Sequence, residues 1–191
     1  SSTSSSMKLV TGSVDHIFTS SYAEGYDHAA TPWIQSGFTT VGLTIAGGAK
    51  TQQLFKFHTL ADGTSTNKDY KISIANLKEP ADIDGEEQYS TFSVQVRKYS
   101  DKDKSPVVLE QFDGCTLDPD SPTYIARKIG DRYSSWNSTL SKIELLGNFP
   151  NISDYVRVSV HAAVADKSVS PKLLPKGFKA VSNPISTARW T

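Results

Sequence analysis

Four histidines and a single cysteine are the side chains of this 191-residue chain best suited to metal binding or nucleophilic chemistry. The histidines are His16, His28, His58 and His161, and the cysteine is Cys115. None of them stands in an H-E-x-x-H or C-x-x-C spacing, so the sequence lacks the ligand pattern of a zinc site. His58 and His161 each follow a predicted strand and can meet in the fold, but we expect structural or surface roles for all four. We predict no metal site.

Cys115 is expected to be chemically inert. A cysteine nucleophile needs a nearby histidine or a helix N-terminus to lower the pKa of its thiol. The segment Asp113–Thr116 reads instead as a turn between two strands, and nothing local activates the sulfur. A lone cysteine also excludes an intrachain disulfide, which fits a protein kept in a reducing compartment.

The acidic residues offer only incomplete site patterns. Asp82–Glu87 has two aspartates before Gly85, but the sixth position after that glycine is Thr91, so the calcium loop of an EF-hand is not matched. A pair of carboxylates in a cleft, as in glycosidases, stays open at this point. Because no G-x-S-x-G elbow or phosphate-binding loop is present, we predict that the chain is not an enzyme. We assign it no catalytic, metal-binding or cofactor-binding residue.

Composition narrows the class of protein further. Lys and Arg total 20 and Asp and Glu total 20, so the formal net charge is zero. A nucleic-acid-binding protein usually carries a basic excess, so we predict no nucleic-acid partner. With 37% hydrophobic and 10% aromatic residues, the chain can bury a core. No apolar run approaches the ~18 residues of a membrane span, so we predict no membrane partner.

Alternating apolar and polar residues predict a mainly antiparallel β protein. Two neighbouring segments around the charged turn Asp101–Lys104 form the clearest hairpin, with Phe92, Val94 and Val96 facing inward. Leu140–Leu146 fits either a strand or a short helix. The predicted strands are Phe38–Ile45, Gln53–Leu60, Tyr70–Ala75, Phe92–Tyr99, Pro106–Phe112 and Tyr155–Val160.

One helix is predicted within Asp118–Gly130. Asp120 or Ser121 can cap it, Pro122 suits its first turn, and Gly130 suits its C-terminal stop. The predicted fold class is therefore α+β, mainly antiparallel β with a sandwich-like sheet, one helix and short helical decorations. We divide the chain into a flexible or linker-like start (residues 1–12), a β-rich domain (13–166) and a proline-interrupted surface tail (167–191).

One part of the chain resembles a known family. Phe92–Tyr99 carries the pattern F-x-V-x-V, Val107–Phe112 ends in L-E-x-F, and Asp118–Asp131 contains Tyr-Ile in its predicted helix. This strand, strand and helix resemble the contractile-tail sheath proteins of large tailed bacteriophages, closest to those of giant phages of the phiKZ type. Phe55–Gly63 and Lys71–Asn76 belong to the same likeness, which covers about a third of the chain well.

The resemblance implies a structural role rather than catalysis. Sheath subunits polymerise around the tail tube, and contraction of the sheath drives that tube through the host envelope. The implied partners are other copies of the sheath protein in a helical array, with tail tube and baseplate contacted through the parent chain. The implied location is the virion tail, after synthesis in the host cytoplasm. Both ends of the sequence read as cut, so we expect a compact internal portion of the subunit that is monomeric when isolated.

A second hypothesis comes from a different class of protein. A β-sandwich of this size also suits a module that binds carbohydrate or a host surface. Its candidate ligand-stacking side chains are Trp33, Trp136 and Trp190, which lie in separate segments that read as irregular. Core or interface packing is the competing use of these tryptophans.

Overall fold

The computed structural model describes residues 28–36, 51–61, 66–80, 88–137 and 139–178. Within these ranges the chain forms nine strands and three short helices. In chain order they are β1 (Ile34–Gln35), β2 (Gln53–Thr59), α1 (Thr66–Asp69), β3 (Tyr70–Lys78), β4 (Thr91–Lys98), β5 (Val108–Thr116), α2 (Ile125–Ile129), β6 (Tyr133–Asn137), β7 (Lys142–Leu146), β8 (Val156–Val160), α3 (Ala162–Ala165) and β9 (Gly177–Phe178).

The strands form three sheets, and every strand pair in the described ranges is antiparallel. One sheet has the order β8-β2-β1-β9, a second has the order β3-β4-β5, and β6 pairs with β7 alone. The helices are at most five residues long. The predicted fold class, α+β and mainly antiparallel β, is therefore confirmed.

The hydrophobic core joins the two larger sheets. Phe55 and Phe57 of β2 and Phe92, Val94 and Val96 of β4 are all at most 1% exposed. The rings of Phe55 and Phe92 stack nearly parallel, with their centroids 5.6 Å apart. Period-two alternation along β2 and β4 places these side chains on one face of each strand, so burying them holds the two sheets together.

The β4–β5 hairpin matches its prediction, but the predicted turn at Cys115 is wrong. Strand β5 continues to Thr116, and Cys115 lies opposite Phe92. Between Phe92 and Val94 the register shifts, because Val94 lies opposite Phe112 and β5 carries an extra residue there. Gly114 adopts a positive φ of 62°, so the Asp-Gly pair makes a β-bulge inside the strand rather than a turn that ends it.

The predicted helix is shorter than its sequence pattern suggested. Helix α2 begins at Ile125 rather than near Ser121, because Ser121 Oγ accepts a hydrogen bond from the backbone N–H of Thr123. Such a side-chain turn satisfies the backbone without a helix. The predicted stop at Gly130 is confirmed, with a φ of 106° and its N–H donated to the carbonyl of Ala126. Ile125 and Ile129 are fully buried, so α2 packs on the core.

The remaining predicted segments can be compared with the structure one by one. The ambiguous Leu140–Leu146 contains strand β7, and Tyr155–Val160 contains β8 as predicted. In the tail from residue 167, Leu174 is buried and Gly177–Phe178 pairs with β1. Several predicted features lie outside the described residues: the strand Phe38–Ile45, the acidic loop Asp82–Glu87, His16, Trp190 and residues 1–12.

Candidate functional site

His58 and His161 lie at different places on the β2–β8 strand pair. His58 lies within β2 rather than after it, and its backbone partner across the sheet is Arg157. His161 follows β8 and caps α3, since its Nδ1 accepts the N–H of Ala163 at 3.2 Å. The ring of His161 also packs edge-on against Trp33, 5.4 Å between centroids. Among the described residues, no group of three or more His, Cys, Asp or Glu side chains is placed to hold a metal ion.

Cys115 is buried and unsuited to nucleophilic attack. Its side chain has no exposed surface, and its S–H donates to the carbonyl of Phe112 at 3.4 Å. Burial raises the pKa of the thiol to about 11, which outweighs the nearby charge of Lys128. A thiol with so high a pKa is protonated at neutral pH, and the thiol form is a poor nucleophile.

Asp101 is the most heavily bonded carboxylate in the described chain, and its contacts are structural. It accepts two hydrogen bonds from the Arg97 guanidinium, at 2.9 and 2.7 Å, and one from the backbone N–H of Val107 at 2.7 Å. The ammonium of Lys71 lies 2.8 Å from the same carboxylate. The Arg97 hydrogen bonds hold the pKa of Asp101 well below its usual range. The Asp101 carboxylate therefore stabilises the charged β4–β5 turn and stays ionised, so it is not a catalytic acid.

Three other carboxylates also have hydrogen-bond or ion-pair partners. Glu110 accepts hydrogen bonds from the hydroxyl of Ser153 and the backbone N–H of Asp154, which ties β5 to the segment before β8. Asp118 and Asp120 share the ammonium of Lys167. Each of these carboxylates therefore has a hydrogen-bond or ion-pair partner within the fold.

The ring of Trp33 packs against neighbouring side chains in the described part of the chain. Trp33 is half-buried, and its ring lies between Lys56, whose ammonium is 5.1 Å from the centroid, and His161. Trp136 lies in strand β6, not in an irregular segment, because Tyr133–Asn137 pairs with β7. Trp33 therefore serves internal packing.

The clearest unexplained surface is the β6–β7 hairpin. Ile143 and Leu145 are two residues apart in β7, so their side chains leave the ribbon on the same side. They are 70% and 63% exposed, more than the other large apolar side chains of the described chain. We call this pair the hairpin face. Leu140, which is also exposed, lies in the turn between the two strands. The sequence analysis left Leu140–Leu146 open between a strand and a short helix, and it did not indicate the exposure of these side chains.

A cleft of about 380 Å³ opens where β2 and β3 approach each other. Its apolar lining includes Phe57 and Ile72, and the rings of Tyr70 and Tyr99 stand at its margin. Tyr70 donates its hydroxyl hydrogen to the carbonyl of Tyr155 at 3.4 Å, while Tyr99 is 55% exposed. Nothing in the sequence indicated this cleft, because it depends on how two distant strands are placed.

Comparison with known proteins identifies no relative. No protein-family model, no curated protein and no solved structure matches the chain. Within the described ranges, none of the helices has the length and apolar character needed to cross a bilayer.

Proposed function

We propose that this chain is a structural domain of a bacteriophage contractile-tail sheath subunit, which polymerises around the tail tube and contracts to drive it through the host envelope. The observation that carries the proposal is the hairpin face, an apolar surface that the described fold leaves open. The resemblance of Phe92–Asp131 to sheath proteins is the reason for proposing this kind of assembly. In this proposal the protein is located in the virion tail and has no catalytic function.

The hairpin face has the chemistry of a contact between copies. Exposed apolar side chains grouped on one surface usually mark a protein interface. Ile143 and Leu145 are each about two-thirds exposed, so burying them contributes about 1–2 kcal/mol apiece. Burying both side chains therefore changes an association constant by roughly 30- to 900-fold. A weak contact of this size becomes effective when it is repeated along a helical array.

A second exposed apolar stretch supports the same proposal. Val107, Val108 and Leu109 are 47%, 38% and 40% exposed, and they lie where β5 begins. Strand β5 is at one edge of its sheet, and the hairpin face lies in a different sheet. Two unlike surfaces on one subunit allow head-to-tail contacts, which generate rings or helical filaments. The balanced net charge of zero does not oppose such packing.

Pelleting of the protein encoded by the open reading frame that contains this sequence tests the proposal. The double variant Ile143→Asp/Leu145→Asp removes the hairpin face. The matched control Leu77→Asp/Ile152→Asp makes the same chemical change at two other exposed apolar side chains. We expect the wild type and the control to sediment as large assemblies and the hairpin variant to stay in the supernatant. Equal sedimentation of both variants, or a wild type that never sediments, would contradict the proposal.

The cleft supports a second candidate function, a carbohydrate- or host-surface-binding module. Its supporting observation is the pair of tyrosine rings, Tyr70 and Tyr99, at the margin of a cleft large enough for a sugar. A glycan array probed with the isolated monomer separates the two candidates. Binding that Tyr99→Ala abolishes would favour the module, whereas an empty array together with assembly of the parent protein would favour the sheath domain.

A further inference from the structure

One face of the β2–β8 pair collects basic side chains. Lys56 lies opposite Ser159, and His58 lies opposite Arg157, in antiparallel register. Because side chains alternate along a strand, these four leave the sheet on the side opposite to the core-facing Phe57. Directly opposite residues of an antiparallel pair are about 5 Å apart, so the four side chains are neighbours. We call Lys56, His58, Arg157 and Ser159 the cationic face.

Arg157 is a buried cation that makes no direct ion pair with a carboxylate of the described residues. The residue is 8% exposed, its guanidinium lies 4.4 Å from the ring centroid of Tyr133, and its Nη1 donates to Ser159 Oγ at 3.2 Å. No acidic side chain of the described residues lies within 4.0 Å of it. Burial lowers its pKa, although Tyr133 and then Asp131 act in the opposite direction. Buried arginines are normally paired, and a guanidinium carries five N–H donors.

His58 adds an unsatisfied polar group to this face. Its Nε2 is buried and has no hydrogen-bond partner among the described residues. Burial, followed by the charges of Arg157, Lys56 and His28, lowers the pKa of His58 to about 4. The imidazole is therefore neutral at pH 7, and the tautomer with its proton on Nε2 presents an N–H donor. Lys56 is held beside it, with its ammonium 5.1 Å from the ring centroid of Trp33.

We propose that the cationic face binds a tetrahedral oxyanion, the phosphate group of a small ligand. Such a group would accept hydrogen bonds from the Arg157 guanidinium, from His58 Nε2 and from the Lys56 ammonium. Arginine suits this ligand because its planar fork matches two oxygens at once, and lysine adds a mobile point charge. The anion would neutralise the buried guanidinium and satisfy the orphaned imidazole nitrogen. This inference is independent of the sheath proposal, because none of its four residues belongs to the hairpin face.

NMR titration with inorganic phosphate tests the site. The chain is compared in potassium phosphate and in potassium chloride at equal ionic strength, since screening alone shifts exposed charges. We expect saturable shifts of the His58 imidazole and the Arg157 guanidinium signals, with a dissociation constant in the millimolar range. A parallel titration with glycerol 2-phosphate tells whether a phosphate ester binds better than the free ion. Absence of a saturable shift with both ligands would overturn the proposal.

Three variants assign the binding to these side chains. Arg157→Gln is expected to weaken phosphate binding about tenfold or more, because it removes a charge-assisted fork. Arg127→Gln is the matched control, since Arg127 also lies over an aromatic ring, that of Phe149 at 4.8 Å, but on helix α2. If Arg157→Gln fails to fold, Lys56→Gln, at a half-buried position, decides the question by a several-fold loss. Equal affinity of wild type, Lys56→Gln and any folded Arg157→Gln would overturn the assignment.

Discussion

Gly130 ends helix α2 in a conformation that only glycine adopts easily, and its replacement should destabilise the fold strongly. Its φ of 106° and ψ of 150° lie in a region that is nearly exclusive to glycine. A Cβ built there would lie 2.3 Å from the Cα of Asn151 and 2.7 Å from the carbonyl oxygen of Pro150. The carbonyl of Gly130 also accepts the N–H of Val158 at 2.9 Å, which joins α2 to strand β8.

The expected cost of Gly130→Ala follows from these two features. A non-glycine residue in a sparsely populated backbone region costs about 1–3 kcal/mol, and an overpacked site costs about 1–3 kcal/mol more. We expect a loss of about 4 kcal/mol in the free energy of unfolding. For a chain of 191 residues this lowers Tm by about 8–16 °C. Urea unfolding followed by circular dichroism measures the free energy of unfolding, and thermal unfolding followed by the same signal measures Tm.

Gly114→Ala provides the matched control. Gly114 also has a positive φ, 62°, but a Cβ there meets nothing within 4 Å. Only the left-handed conformation is then unfavourable, at about 1–2 kcal/mol. The reasoning predicts that Gly130→Ala costs at least about 2 kcal/mol more than Gly114→Ala. Equal losses for the two variants would refute the assignment of close backbone packing at Gly130.

Three further predictions concern single ionisable groups. Arg97 holds the pKa of Asp101 below its unfolded value, so the stability that Asp101 contributes is present above pH ~4 and is lost as the pH falls. The free energies of unfolding of wild type and Asp101→Asn, measured with urea, should therefore converge at acidic pH. A difference that stays constant with pH would contradict this. The pKa of His58 is about 4, so NMR should show its imidazole titrating near that pH. The free energy of unfolding should fall as the pH drops from ~6.5 towards the same value. Titration at the ordinary histidine value would refute the burial of His58. Cys115, with a pKa of about 11, should resist alkylation at pH 8 until the protein is unfolded with urea, and rapid labelling of the native protein would refute its placement.

Local patterns predicted the strands well where one face is buried. The alternation of Phe92, Val94 and Val96 identified β4 and its inward face, because period two in the sequence and burial on one side have the same cause. The beginning of α2 was not predicted, since the side chain of Ser121 offers its backbone a local alternative to the helix. The bulge at Gly114 also escaped prediction, because an Asp-Gly pair favours a turn equally well.

The candidate sites depend on contacts that a single sequence does not contain. Arg157 and His58 are about 100 residues apart in the chain, and only the β2–β8 register makes them neighbours. The segment that contains Ile143 fitted either a strand or a short helix, and its sequence did not tell whether these side chains are buried or exposed. The cleft beside Tyr70 arises between two sheets, so no local pattern indicates it.

Negative-stain electron microscopy tests the central claim most directly. The sample is the protein encoded by the open reading frame that contains this sequence, overexpressed alone. The sheath proposal predicts long hollow tubes or stacked rings, which the Ile143→Asp/Leu145→Asp variant no longer forms and the Leu77→Asp/Ile152→Asp control still forms. Dispersed monomers of the wild-type protein at every salt concentration would contradict the proposal, and so would tubes that the hairpin variant forms as readily as the wild type.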